Sequence, residues 1–334
     1  SKTKARKIEA EMWEKFEKGF NYQKANDKFS DVFSSYVKKH ISDGYWSTNT
    51  QRAWKYSEQV FKLYFPKTAL QNMNQELIRG FARQYVKDHN SSASENSVIA
   101  KLLTHLRKFF KPLVGRYFEV NPVPERPLSK FFRKDEIVSQ QKYHILTNNE
   151  YGKLKAAIKD NLHIYSPTKS VSKLAVWIGL ETGMRPQEIQ ALTWDSLIAD
   201  KQNSYFIIED SWNGSSHSLN GHLKSRKVGE SRKTLPISDE LRSTLLDFKV
   251  IQREFLDSKE IRNKNNFILL NLNNYKKSFN GIPVDQHRMN DMLHILGKKA
   301  GIEIAPNEKW SMYALRHSAA TKLGNTPGMS YPWA

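Results

Sequence analysis

The sequence predicts a mainly α-helical protein with a small antiparallel β-sheet, an α+β fold in two domains. Apolar residues recur at three- and four-residue spacings between residues 28 and 120, which is typical of amphipathic helices. Pro122, Pro124 and Pro127 then form a cluster that is typical of a linker. Beyond this cluster, two strand-like stretches flank a Gly- and Ser-rich region at 211–231, which predicts a hairpin.

Four segments follow from these patterns. Residues 1–26 predict an N-terminal helix and its linker, with helical apolar spacing at 5–19. Residues 27–121 predict an all-helical domain, 122–140 an interdomain linker, and 141–334 a second domain.

The first domain contains four predicted helices. They lie in the stretches "KFSDVFSSYVKKHI", "STNTQRAWKYSEQVFKLYF", "NQELIRGFARQYVKDH" and "SSASENSVIAKLLTHLRKFFKPLVGRY". Ser47 or Thr48 is a suitable N-cap for the second. Leu102, Leu106 and Phe109 line one face of the fourth, which predicts that this helix packs on the core with its basic face in solvent.

The second domain mixes helices with short strands. Helices are expected after Thr147, in "SVSKLAVWIGLET" ending at Gly183, after Ser238, and in "DQHRMNDMLHILGKKAGI". The stretches "SYFIIED" and "RKTLPIS" predict the paired strands, and "NFILLN" predicts a short strand or a buried run. The sequence shows no internal repeat.

The charge of the chain indicates a polyanionic partner. The 53 Lys and Arg residues outnumber the 34 Asp and Glu residues, so the formal net charge is +19. Residues 1–130 carry a net +11 and residues 131–334 a net +8, which excludes a detachable basic tail as the source. A basic surface that serves solubility alone is the alternative, but an excess of this size on a folded chain favours nucleic acid.

Several classes of protein are excluded or disfavoured by composition. The absence of cysteine excludes disulfides, thiol catalysis and cysteine-ligated zinc, and it fits a reducing cytoplasm. The charged N-terminal residues contain no apolar signal-peptide core, and no apolar run approaches the length of a membrane span. We expect a cytoplasmic protein with no membrane partner.

Two isolated arginines are the candidates for chemistry. Arg185 stands in "TGMRPQEIQALTW", and Arg316 stands in "WSMYALRHSAATKLG" next to His317. Two guanidinium groups that converge on one anion suit a phosphate, because guanidinium is always charged and binds bidentately. The simpler interpretation is that Arg185 pairs with Glu188 one turn later, that Arg316 forms an ordinary interior ion pair, and that the lysines of 224–233 are solvated.

The two arginine segments together resemble the tyrosine recombinase family, of the phage-integrase type. "TGMRPQEIQALTWDSL" is followed by "YALRHSAATKL", and the resemblance extends over residues 28–334. It implies a helical core-site DNA-binding domain, a catalytic domain, and cleavage of one DNA strand through a 3′-phosphotyrosyl ester without metal or nucleotide.

The same resemblance implies roles for individual residues. Arg185 and Arg316 would clamp the scissile phosphate, and Glu188 would orient Arg185. Lys224, on the predicted hairpin, would protonate the leaving 5′-oxygen. Lys227 is the alternative, since counting back from "TLP" without a gap arrives there.

The sequence departs from the family pattern at two places. Tyr313 stands where the family usually has a histidine, three residues before the second arginine, and it can donate a hydrogen bond but is a poor base at neutral pH. His317 is expected to pack or to contact the DNA backbone. The nucleophilic tyrosine is expected beyond Ala334, because Tyr331 comes too soon after Arg316 and precedes a proline. We therefore expect this chain to bind DNA without cleaving it.

The resemblance implies a site-specific integrase of a mobile element, a phage or a conjugative transposon. Its expected partners are double-stranded DNA core sites, three further copies of itself in a tetramer, and an excisionase or a host DNA-bending protein. A non-enzymatic DNA-binding protein on the same scaffold and a topoisomerase of type IB are the alternatives. The candidate DNA contacts, each of which is otherwise a solvated side chain, are Asn96, Lys101, Thr104, His105, Lys108, Lys111, Arg226 and Lys227.

Overall fold

The computed structural model of the chain describes residues 26–326 except 140, 201–202 and 225–227, together with residues 4–6, 9, 13 and 14. Those N-terminal positions are helical, and most of the helix predicted at 5–19 lies outside the described residues. The chain divides into two compact units, Ser1–Gln140 and Gln141–Ala334. The mainly helical class with small sheets is confirmed.

The first unit is helical in its described part. Its helices are α1 (Phe29–Ser42), α2 (Thr48–Tyr64), α3 (Gln75–Asp88), α4 (Val98–Phe110) and α5 (Pro127–Phe131). Ser47, Asn74 and Ser97 cap α2, α3 and α4, because each side chain accepts a hydrogen bond from a backbone N–H of the first turn. Phe29 lies at the centre of the core, and five phenylalanine rings have centroids within 6.0 Å of its own.

A stack of four rings runs from α1 to α4 across this unit. His40 stacks on Trp46 with centroids 4.8 Å apart, Trp46 on Trp54 at 4.7 Å, and Trp54 on His105 at 4.0 Å. The Nδ1 atom of His105 also lies 2.7 Å from the hydroxyl of Ser57. Burial, and then the charges of two neighbouring lysines, lower the pKa of His105 to about 4, so this ring is neutral at physiological pH.

The segment 122–140 packs as part of the first unit, which differs from the linker that the prolines predict. Val123, Phe131 and Phe132 are buried in the core, and the Nε of Arg83 donates a hydrogen bond to the carbonyl of Phe131. The apolar side chains of "PLSKFF" explain the difference, because burying them outweighs the tendency of the prolines to leave the chain open. The border between the units coincides with the end of this segment, at Gln140.

The second unit combines helices with three small sheets in its described part. Its helices are α6 (Asn148–Asn161), α7 (Pro167–Thr182), α8 (Pro186–Gln190), α9 (Asp239–Ser258), α10 (Tyr275–Phe279), α11 (Gln286–Lys299) and α12 (Met312–Gly324). The strands are β1 (Lys142–Tyr143), β2 (Leu197–Ile198), β3 (Tyr205–Ile208), β4 (Trp212–Asn213), β5 (Ser218–Leu219), β6 (Arg232–Lys233) and β7 (Glu308–Lys309). The central helix is α7, which is buried over most of its surface and packs against α6, α8, α9, α11 and α12.

The predicted hairpin is present as an antiparallel sheet in the order β2-β3-β6. Its register pairs Leu197 with Phe206 and Ile207 with Lys233. The region between β3 and β6 contains the additional hairpin β4-β5, and β1 pairs in parallel with β7. The "NFILLN" stretch is a buried run, because Phe267 to Leu270 are fully buried and bond to loops rather than to a sheet.

The helix ends of this unit follow local sequence signals. Thr147 and Glu150 form a capping box at the start of α6, and Ser238 accepts from the N–H of Leu241 at the start of α9. Gly183 ends α7 with φ of 61°, a left-handed conformation that favours glycine. The turn at Gly183 fixes where the chain leaves α7 and enters α8, and Arg185 lies directly after it.

Candidate active site

Arg185 and Glu188 are joined within one turn of α8. Arg185 is the N-cap of this helix, and Pro186 occupies its first position. Glu188 Oε2 accepts from the Arg185 backbone N–H at 2.9 Å, and Glu188 Oε1 accepts from Arg185 Nη1, also at 2.9 Å. The side chain of Glu188 is only 2% exposed. The expected pairing of these two residues is therefore present, and it holds the guanidinium in a defined orientation.

Arg232 is a third arginine at this place, and the sequence analysis did not single it out. It lies on β6, and its Nη2 donates to Glu188 Oε2 at 2.6 Å. Burial alone would raise the pKa of Glu188, but Arg232 and then Arg185 outweigh burial and lower it below its ordinary value of 4.5. Glu188 is therefore a carboxylate shared by two guanidinium groups. The available signal was the basic pair before "TLP", at the start of the strand that closes the hairpin.

Arg316 reaches the same cluster from α12. Its Nη1 donates to the carbonyl of Gly183 at 2.9 Å, so it contacts the turn that precedes Arg185. Burial lowers the pKa of Arg316, the charges of Arg185 and Arg232 lower it further, and Glu188 opposes them. The structure thus brings together the two arginines that the sequence analysis paired.

Close packing of small residues permits this approach. A Cβ atom at Gly183 would lie 2.6 Å from the Cβ of Ala319, and one at Gly179 would lie 2.6 Å from the terminal carbon of Met312. Both distances are shorter than any ordinary contact, so a side chain at Gly183 would clash with Ala319, whereas one at Gly179 would require the flexible end of Met312 to move. The contact sets the spacing between the segments that hold Arg185 and Arg316.

Three guanidinium groups and one carboxylate leave this cluster with two net positive charges. Because they are partly buried, the mutual repulsion of the cations is less screened than it would be at an open surface. A doubly or singly charged anion would relieve it. An anion with several oxygens would also match the bidentate geometry of the guanidinium groups.

Tyr313 and His317 lie on either side of Arg316 along α12. The hydroxyl of Tyr313 donates to Gln187 Oε1 at 3.1 Å. His317 is exposed, and its ring stacks on Tyr143 of β1 with centroids 4.5 Å apart and an angle of 16°. This stacking links the first strand of the unit to α12.

Residues 144–329 match the phage integrase family. This match covers more than half of the chain and includes all the residues of the cluster. The chain belongs to the phage integrase family. No curated protein matches the sequence closely enough to name a relative.

Solved structures with the same fold include three DNA-bound recombinases. The Tn1549 transposon integrase in complex with transposon right end DNA is 20% identical, with a TM-score of 0.63, and the alignment covers 90% of this chain and 88% of that one. A lambda integrase dimer bound to a COC′ core site is 14% identical, with a TM-score of 0.53, and the alignment covers 89% of this chain and 70% of that one. XerH site-specific recombinase bound to a difH substrate is 17% identical, with a TM-score of 0.54, and the alignment covers 88% of this chain and 73% of that one.

The hairpin lysines are placed only in part. Lys224 is exposed and follows the buried Leu223, before the last strand of the sheet. Arg226 and Lys227 lie outside the described residues, as does Tyr331. The assignment of Lys224 rather than Lys227 stays a prediction.

In the first unit, the candidate DNA contacts fall into two groups. Asn96, Lys101, Thr104, Lys108 and Lys111 are exposed at or near α4. His105 differs, because its ring is committed to Trp54 and Ser57 and is half-buried. The structure therefore gives His105 a packing function, and the exposed residues keep the features that contact with DNA requires.

No group of three or more His, Asp or Glu side chains in the described part of the chain is arranged to hold a metal ion. Among the same residues, no helix combines the length and the apolar composition that crossing a bilayer requires.

Proposed function

We propose that this protein is the integrase of a mobile element, which binds double-stranded DNA core sites and exchanges strands through a 3′-phosphotyrosyl intermediate. One observation carries the proposal within the recombinase family: Arg185, Arg232 and Arg316 come from three separate elements and meet around one buried carboxylate. Passive DNA binding needs exposed cations and would not require three partly buried ones, so this cluster favours catalysis over a regulatory role.

The cluster acts on the scissile phosphate. Arg185 and Arg316 contact its non-bridging oxygens, where negative charge grows as the phosphorus becomes five-coordinate. Glu188 holds Arg185 and Arg232 before the DNA arrives, so the guanidinium groups pay little reorganisation cost during the reaction. The shared carboxylate also connects α8 to β6, the second strand of the predicted hairpin.

The chemistry is a transesterification, so one phosphoester bond forms as another breaks. A tyrosine outside the described residues loses its phenol proton to water and attacks the phosphorus through its phenol oxygen, and the bond from phosphorus to the 5′-oxygen breaks. Lys224 gives that oxygen its proton and leaves a free 5′-hydroxyl. Tyr313 contributes its hydroxyl beside Arg316, and His317 steadies α12 through Tyr143. Attack by a 5′-hydroxyl from another strand reverses these steps and completes the exchange.

DNA binding draws on both units. Each carries a large net positive charge, and the exposed side chains at α4 are suited to bases and phosphates in the major groove. The DNA-bound structures that share the fold, among them transposon integrase complexes with circular intermediate DNA, support a mobile-element substrate. We propose a tetramer on two sites, with an excisionase or a DNA-bending protein as accessory partner, acting in the bacterial cytoplasm.

The test is to replace Arg185 or Arg316 by alanine in the full recombinase and to measure cleavage of a nicked DNA substrate that traps the covalent adduct. We expect adduct formation to fall by at least about 10³-fold, while the dissociation constant for DNA changes by less than about threefold because many other cations hold the phosphates.

Arg242→Ala is the matched control, because Arg242 pairs with Asp239 on α9 away from the cluster. It should cleave at the wild-type rate. Normal cleavage by either cluster variant would remove that arginine from the site. If both variants instead lose folding or DNA binding, the arginines are structural and the proposal fails.

A further inference from the structure

Two glutamine side chains connect Tyr313 to the helices around it. Tyr313 of α12 donates its hydroxyl hydrogen to Gln187 Oε1 at 3.1 Å. Gln187, on α8 between Arg185 and Glu188, in turn donates from Nε2 to Gln286 Oε1 at 2.9 Å. Gln286 is the first residue of α11, and all three side chains are partly buried. The chain of bonds therefore joins three helices beside the arginine cluster.

The structure gives these hydrogen bonds one direction. A glutamine has a donor end and an acceptor end, and the Nε2 end of Gln187 bonds to Gln286. Its oxygen then faces Tyr313. A tyrosine hydroxyl has a single hydrogen, and here that hydrogen points at Gln187. What Tyr313 offers to its remaining surroundings is therefore the lone pairs of its oxygen.

We propose that Gln187 is a positioning residue, oriented by Gln286, which fixes Tyr313 as a hydrogen-bond acceptor in the active site. This inference rests on the proposed role of Tyr313 in strand cleavage. It alters the expectation from sequence, in which Tyr313 acts as a donor. An acceptor is complementary to Arg316, whose guanidinium group is influenced electrostatically by Tyr313 and can only donate hydrogen bonds.

The position of Gln187 explains how α8 can couple the placement of Tyr313 to that of Arg185. Gln187 follows Pro186, whose ring fixes the first turn of α8, and it precedes Glu188, which is tied to Arg185 and Arg232. The Gln187 side chain therefore extends from the same short helix that orients Arg185. The positions of the Tyr313 hydroxyl and of Arg185 both depend on α8.

The experiment measures single-turnover cleavage of DNA already bound to the full recombinase. Gln187→Met keeps the length of the side chain but removes both ends of the amide, and we expect cleavage to slow by about 10-fold. Gln286→Met leaves the acceptor of Gln187 in place without its orientation, and we expect a loss of about threefold. DNA affinity should stay at the wild-type value in both variants.

A double-variant cycle shows whether Gln187 acts through the Tyr313 hydroxyl. Tyr313→Phe removes that hydroxyl and should slow cleavage at least as much as Gln187→Met, and adding Gln187→Met to it should cause no further loss. Gln187→Glu retains an acceptor oxygen and should cleave faster than Gln187→Met. Any effect of its added charge alone would persist in the Tyr313→Phe background.

Gln190→Met is the matched control, because Gln190 lies on the same helix but donates to the carbonyl of Val284 rather than to Tyr313. It should lower thermal stability and leave the cleavage rate unchanged. Wild-type cleavage by Tyr313→Phe would overturn both the proposed role of Tyr313 and the positioning role of Gln187. Slow cleavage by Tyr313→Phe combined with normal cleavage by Gln187→Met would overturn the positioning role of Gln187 alone. Additive losses in the double variant would do the same.

Discussion

Replacing Glu188 by glutamine should destabilise the second unit far more than its single lost charge would at a surface. The carboxylate is 2% exposed, and the side chains of Arg185 and Arg232 are 24% and 25% exposed. Removing one member of a buried ion pair costs about 3–5 kcal/mol. Because both arginines retain some solvent, we take the lower end, about 3 kcal/mol of unfolding free energy. For a unit of this size that corresponds to a fall in Tm of about 6–12 °C.

Differential scanning calorimetry over a range of pH measures this effect. The folded-state pKa of Glu188 lies below its ordinary value of 4.5, so the carboxylate stabilises the fold fully above that pH. The stabilisation disappears as the pH falls through the folded-state pKa. The difference in Tm between wild type and Glu188→Gln should therefore be largest at neutral pH and should shrink below pH 4.5.

Glu240 supplies a control with the same arrangement and different burial. It also bridges two cations, Lys155 at 3.0 Å and Lys159 at 2.6 Å, but its side chain is 51% exposed. Glu240→Gln should leave Tm nearly unchanged, since water already screens that pair. Equal shifts for the two variants, or a difference for Glu188→Gln that does not depend on pH, would refute the reasoning.

Three further predictions concern other parts of the chain. Gly183→Ala should lower the unfolding free energy of the second unit by about 2 kcal/mol, because of its positive φ and its contact with Ala319, and an unchanged urea midpoint would contradict this. The folded-state pKa of His105 is about 4, below its ordinary 6.5, so the first unit should lose stability as pH falls from 6.5 towards 4. His105→Phe should remove that dependence in urea titrations, and a persistent dependence would assign it elsewhere. Lys108→Gln should reduce the slope of log K against log salt for DNA binding by about one, whereas an unaltered slope would show that Lys108 contacts no phosphate.

Features that depend on neighbouring residues in the chain could be predicted from the sequence. The caps at Thr147 and Ser238 and the end of α7 at Gly183 are as predicted, and Ser47 is the cap among the two candidates for α2, because each depends on a few adjacent residues. The pairing of Arg185 with Glu188 belongs to the same class, since one helical turn joins them.

Features that depend on packing between residues far apart in the sequence could not be predicted from it. Arg232 looked like one cation among several in "LKSRKVGESRK", and only the register of β3 with β6 brings it to Glu188. His105 had the sequence context of an exposed helical residue, but Trp54 covers its ring. The link from Gln187 to Gln286 joins residues 99 positions apart, and no local pattern marks such a pair.

The contact of Gly183 with Ala319 has a mechanical consequence. Because the end of α7 at Gly183 leaves no space for a side chain beside Ala319, this contact opposes a shift of α12 along α7. The hydrogen bond from Arg316 to the carbonyl of Gly183 crosses the same contact. Arg185 and Arg316 are therefore expected to move together as parts of one rigid body. A regulatory signal that inactivates this recombinase must displace both arginines together or separate other packed elements of the second unit.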